Sequence, residues 1–167
     1  DNVLHILSNL NTLSSFYCNN YQSKLTTMNC RNTIVNININ PSKLTWFAGT
    51  ASCYVKLPTF LQFKLNNSYE IAITQIISKG LKRAEICDIG CSLITGSIVD
   101  DAIYPLLRRC LLKKGYFIAE FNHRDYMRVT SPEVETFVIY LRLVNFQNVS
   151  VDCDSLSVTL HIRECLN

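Results

Sequence analysis

Residues 154–162, DSLSVTLHI, set Leu156, Val158, Leu160 and Ile162 against Ser155, Ser157, Thr159 and His161 in strict alternation. A period of two places every second side chain on one face, so this stretch predicts a β-strand with one buried and one wet side. The same period runs through 134–146, VETFVIYLRLVNF, where Phe137, Ile139, Leu141 and Leu143 share a face. It runs again through 33–41, TIVNININP, where Val35, Ile37 and Ile39 oppose Asn36, Asn38 and Asn40. Further strands are expected at 51–57, 60–65, 69–78 and 115–121. Asn66-Asn67-Ser68 reads as a hairpin-like connection, so 51–57, 60–65 and 69–78 are expected as three adjacent antiparallel strands.

Two segments break the alternation. Val3, Ile6, Leu7, Leu10 and Leu13 fall at helical spacing within 1–17 and predict a short amphipathic helix. Asp100-Asp101 is expected to cap a second short helix near 100–112, with Ile103, Leu106, Leu107 and Cys110 on one side and Pro105 in its first turns. The expected fold is therefore all-β: a two-sheet antiparallel sandwich of seven or eight strands with two short helices.

Eight cysteines run from Cys18 to Cys165 in a chain of 167 residues. An even count between strand-like segments points to a disulfide-stapled secreted protein, with Cys18, Cys30, Cys53, Cys87, Cys91, Cys110, Cys153 and Cys165 all paired. The one tight spacing, Cys87 with Cys91, lacks the second pair or nearby histidine that a zinc site needs, so no metal and no cofactor is expected. Acceptor sequons at Asn66 and Asn148 lie in polar breaks and agree with an extracellular or lysosomal-lumen setting. The start, DNVLHILSNL, lacks the basic head and cleavage site of a signal peptide, which suggests a mature secreted product. A formal net charge of +3 is too mild for a nucleic-acid binder.

Catalysis finds little footing. His5 lies in the terminal helical segment, His123 in a polar turn beside Arg124 and Asp125, and His161 on the wet side of the last strand, so none stands beside a nucleophile. The chain is read as a non-enzyme. Lys79, Lys82 and Arg83 precede Cys87, while Arg108, Arg109, Lys113 and Lys114 surround Cys110; a bridge between those cysteines would gather both basic groups at one end. Trp46 and Phe47 are read as buried strand residues rather than as an exposed apolar tip.

One order of features resembles a known family. Ile86-Cys87-Asp88-Ile89, then about twenty irregular residues, then Cys110 and Lys114-Gly115-Tyr116-Phe117, a long strand, and a last strand preceded by Cys153 is similar to the ML lipid-recognition superfamily. The nearest branch is that of the ganglioside activator protein, with a related insect chemosensory group. The likeness covers 30–162; the doublet of cysteines and the proline of the activator branch are replaced here by Cys110 and Leu111-Leu112.

The resemblance implies a division into an N-terminal extension, 1–29, and an ML-like domain, 30–167. It also implies pairing of Cys30 with Cys153 and of Cys110 with Cys87 or Cys91. The fold it implies is a β-cup, a sandwich splayed to hold a lipid between its sheets. The lining would then be Val55, Leu57, Leu61, Phe63, Ile71, Ile73, Phe117, Phe121, Phe137, Ile139, Leu141, Leu143, Leu156, Val158 and Leu160. An apolar chain of about fifteen methylenes at ~0.8 kcal/mol each would supply roughly 12 kcal/mol before ordering costs, enough for recognition by shape alone. The expected function is thus a secreted, non-enzymatic carrier that presents a lipid or other hydrophobic molecule to a membrane, enzyme or receptor. The alternative is an immunoglobulin-like adhesion or receptor-binding module with a solid core.

Overall fold

The computed structural model describes residues 32–56, 68–131, 136–144 and 150–165. The expected helix at 1–17 and the extension 1–29 lie outside these residues, as do strand 60–65, residues 66–67 of the connection, Leu57, Leu61, Phe63, Cys18, Cys30 and the sequon asparagines Asn66 and Asn148. Described residues form eleven strands: β1 (Asn32–Ile39), β2 (Thr50–Lys56), β3 (Tyr69–Leu81), β4 (Glu85–Cys91), β5 (Ser97–Val99), β6 (Ala102–Tyr104), β7 (Leu106–Leu112), β8 (Gly115–Glu120), β9 (Met127–Arg128), β10 (Thr136–Leu143) and β11 (Ser155–Glu164). The fold is all-β and every pairing is antiparallel.

One sheet has the order β1-β11-β3-β8, with β9 also on β3; a second has β2-β10-β4-β7; β5 and β6 form a separate hairpin. The stretches with the strictest alternation, in β10 and β11, hold central positions because a buried face on each is covered by both neighbours. Val35, Ile37 and Ile39 of β1, Phe137 to Leu143 on alternate positions of β10, and Leu156 to Ile162 on alternate positions of β11 are all buried in one continuous cluster. The opposite face stays wet: the Asn36 amide donates to Ser157 Oγ and Thr159 Oγ1, each at 2.8 Å.

Tertiary structure departs from the sequence expectations at several points. Strands β2 and β3 lie in different sheets and are not neighbours. The helix near 100–112 is replaced by the β5–β6 hairpin and by β7. Pro105 would break a helix at that point, and Asp100 and Asp101 turn the hairpin with left-handed φ of 49° and 64° instead of capping anything. In β3 a bulge leaves Thr74 unpaired between the Gln75–Thr159 and Ile73–Leu160 pairs, so the inward phase passes from Tyr69, Ile71 and Ile73 to Ile76 and Ser78.

A further correction concerns the staples. No disulfide joins any two described cysteines. Cys87 and Cys110 face each other in register across β4 and β7 as free thiols, each donating to the carbonyl of the residue that follows it, Asp88 O and Leu111 O. Cys53 and Cys91 flank Ile139 from opposite sides and are separated by a whole strand. A bridge requires Cα atoms within about 7 Å and converging Cβ vectors, and two strand spacings exceed that.

Ser78 is the blemish in this core. Its Oγ is buried with no hydrogen-bond partner among the described residues. An unsatisfied hydroxyl costs about 1–3 kcal/mol, so Ser78→Ala is expected to raise stability by about 1 kcal/mol. The check is a higher urea midpoint at unchanged slope.

Candidate functional site

Of the expected lining residues, Val55, Ile71, Ile73, Phe137, Ile139, Leu141, Leu143, Leu156, Val158 and Leu160 are brought together in the core cluster. Phe117 and Phe121, at the β8 side, are only partly buried and pack against its border. Ile139, Leu141, Leu156, Val158 and Leu160 each have 0% exposure. A lumen wide enough for water would leave accessible area on the side chains that face it.

On the outer face of the four-stranded sheet lies a charged cluster that the sequence reading passed over. Asp88 is fully buried, and its carboxylate accepts from Arg109 at 2.7 and 3.0 Å and from Arg142 at 2.8 Å. Arg109 also donates to Asp100, the turn residue of the β5–β6 hairpin. Tyr104 of the same hairpin sits under the Arg142 guanidinium, 4.1 Å away, and its hydroxyl lies 3.3 Å from the Asp88 and Tyr140 carbonyl oxygens. Gly90 permits this approach, since a Cβ there would come within 2.8 Å of Pro105 O. The hairpin is thereby clamped to the sheet, with Ile98 and Ile103 paired on its solvent side at 81% and 80% exposure.

Burial alone would raise the Asp88 pKa, but the hydrogen bonds and charges of Arg109 and Arg142 outweigh it and hold the carboxyl below its ordinary range. The buried thiols behave oppositely. Burial pushes Cys53, Cys87 and Cys91 up to about 12 and Cys153 to about 11, so they are protonated at neutral pH and poor nucleophiles. His161 is on the wet side of β11, as its alternation implies. Desolvation and the charges of Arg124 and Arg163 lower its pKa, and the Tyr126 hydroxyl is bonded to its Nδ1.

The third arrangement is one end of the two sheets, where four connections meet. The β3–β4 turn carries Lys82 and Arg83, and the β7–β8 turn carries Lys113 and Lys114; Glu85–Leu112 and Leu81–Gly115 pairing sets them side by side. Register alone makes this gathering, with no bridge between Cys87 and Cys110. Arg108 and Arg109 are drawn elsewhere, Arg108 onto the Phe121 ring at 3.7 Å and Asp125.

A 3-10 turn at Pro41–Lys43 joins the same end: Ser42 Oγ donates to Cys153 O, and Lys82 N donates to Asp152 O. So does the tight turn 47–50, because Leu143 N donates to Gly49 O and Leu143 pairs with Cys87, two residues from the start of β4. Ala48 and Gly49 there are both left-handed, at φ 48° and 76°, and the turn presents Phe47 with 82% of its surface exposed. The expectation that Phe47 is buried is thus corrected: it sits in a turn before β2 rather than within a strand. Trp46 is partly buried against the core, its indole N–H donating to Pro41 O at 2.9 Å.

No model of a protein family matches the chain, and no curated protein matches it. Among solved structures it is similar to the Drosophila NLP-core, described for pentamer formation and histone binding, at 8% identity and TM-score 0.35, over 77% of this chain and 96% of that one. It is also similar to the insecticidal delta-endotoxin Cry8Ea1 of Bacillus thuringiensis, at 10% identity and TM-score 0.34, over 79% of this chain and 20% of that one. A third is the Podospora anserina GH26-CBM35 β-(1,4)-mannanase, at 5% identity and TM-score 0.33, over 79% and 28%. Likeness at this level carries no conclusion about fold or function.

Proposed function

We propose that this chain is a non-enzymatic β-sandwich binding module that works through its turns and outer faces, with a filled interior. The observation that carries the reading is the 0% exposure of Ile139, Leu141, Leu156, Val158 and Leu160 where the two sheets meet. Side chains that already fill the space between sheets leave no volume for an acyl chain unless the sheets part. Protonated buried thiols and a histidine flanked by two arginines support the non-enzymatic part of the proposal. An extracellular setting belongs to the same proposal, and the sequons at Asn66 and Asn148 support it.

A second reading is the ML-like lipid cup, and one observation favours it. Phe117 and Phe121 are half-open where the β8 and β7 edges adjoin, a place at which an apolar chain would pass between the sheets. Leu141→Trp separates the two. A filled core is overpacked by the indole and loses about 1–3 kcal/mol. A cup admits the indole into its lumen, keeps its melting temperature when delipidated, and loses at least tenfold in uptake of a fluorescent fatty acid. The expected result is the lower melting temperature with no uptake by either protein; a co-purifying lipid in native mass spectrometry would reverse the choice.

A further inference from the structure

We propose that the end of the molecule built by the 41–43, 47–50, 82–84 and 113–114 turns docks on an anionic lipid bilayer, with Phe47 inserted and the surrounding lysines held at the head groups. The inference rests on the outer-surface reading above and names its partner. Lys43, Lys82, Lys113 and Lys114 are exposed, and no described acid lies within ion-pair distance of them. Arg83 is spent on Glu85 at 3.0 Å. The exposed acids among these turns are Asp152 and Asp154, and the Asp154 carboxylate lies against Gly80.

The chemistry selects a lipid surface over an acidic protein for a reason of shape. Phe47 flanks a two-residue turn, Ala48-Gly49, that closes with paired hydrogen bonds, Phe47 N to Thr50 O at 2.8 Å and Thr50 N to Phe47 O at 3.0 Å. Placing Ala48 in the left-handed region is unfavourable for a residue with a Cβ, so the turn spends stability to hold an aromatic ring in water. An exposed ring at the same end as four lysines that have no acidic partner among the described residues matches the layering of a bilayer, anionic outside and apolar within. Each lysine near an anionic surface strengthens binding about fivefold.

Trp46, the sole tryptophan, sits next to the inserted residue and reports on it. Vesicles of phosphatidylcholine with about a third phosphatidylserine should sediment the protein at low salt and release it at high salt. Pure phosphatidylcholine should not sediment it. Phe47→Ser is expected to weaken partitioning about tenfold, and combined Lys82→Gln, Lys113→Gln and Lys114→Gln about a hundredfold, with melting curves like the wild type because all four side chains are exposed. Brominated acyl chains should quench Trp46 in the wild type. Absence of sedimentation with anionic vesicles overturns the proposal. So does binding that is indifferent to Phe47 with no quenching, or equal retention on immobilised polyglutamate, which would indicate an acidic protein partner. Either failure leaves the filled core, read independently by Leu141→Trp, where it stands.

Discussion

Phe137→Ala is expected to unfold in urea about 3–5 kcal/mol below the wild type, the largest loss of any single truncation considered. Phe137 is 1% exposed and among the bulkiest fully buried side chains, on β10 opposite Val55 of β2. Removing its ring deletes the transfer free energy of the phenyl group and leaves a void that β-sheet neighbours close only in part, since both sheets are pinned by ladder hydrogen bonds. The transition should keep its slope while its midpoint falls. A loss under about 1 kcal/mol would mean that the ring borders open volume, and the lipid-cup reading would then be the better one.

Asp88→Asn is expected to cost about 3 kcal/mol at neutral pH, because it removes the carboxylate shared by Arg109 and Arg142 and leaves two guanidinium groups facing a neutral amide. The figure is toward the low end for a buried pair, as the Arg109 side chain is 40% exposed and screened by water. Its pH dependence follows from the direction of the shift. The folded carboxyl titrates below its ordinary 3.8, so the contribution is complete above that value and is lost as pH falls through the lower, folded one. The difference between wild type and Asp88→Asn should therefore be flat from pH 5 to 8 and shrink below about pH 4. A difference that instead grew on acidification would contradict the ion cluster. Loosening of the β5–β6 hairpin should accompany the loss, since Arg109 holds Asp100 and Arg142 packs on Tyr104.

The strands were legible from residues alone wherever one face is wet. Asn36 and Asn38 against Val35, Ile37 and Ile39, or Ser157 and Thr159 against Leu156, Val158 and Leu160, declare both the strand and its buried side, because period two has one physical cause. Within β3 the same logic held to Ile73 and then inverted, for a bulge is a property of the pair Gln75–Thr159 and not of either strand. The 97–112 region misled because Ile103, Leu106, Leu107 and Cys110 satisfy a helical spacing by accident. The alternatives were decided by Tyr104 docking on β4 and β10 and by Asp100 reaching Arg109.

Asp88 itself carried a signal, a carboxylate inside the apolar run ICDIGC, but its partners are 21 and 54 residues away and no local pattern points to them. Phe47 is the converse. Its aromatic, apolar character reads as that of a buried strand residue, and the ring is found exposed beside the left-handed turn at Ala48 and Gly49.

The sequence by itself determined the antiparallel β character of the described strands outside 97–112, which side chains of β1, β10 and β11 face inward, and that the charge is modest. Alternation and composition are local, and burial follows from them directly. Sheet membership, the bulge, the facing of Cys87 and Cys110 across β4 and β7, the Asp88 clamp and the meeting of Lys43, Phe47, Lys82, Lys113 and Lys114 at one end were decided only by tertiary structure. Each depends on which strands pair and in what register, and that choice minimises the free energy of the whole core rather than of any one segment.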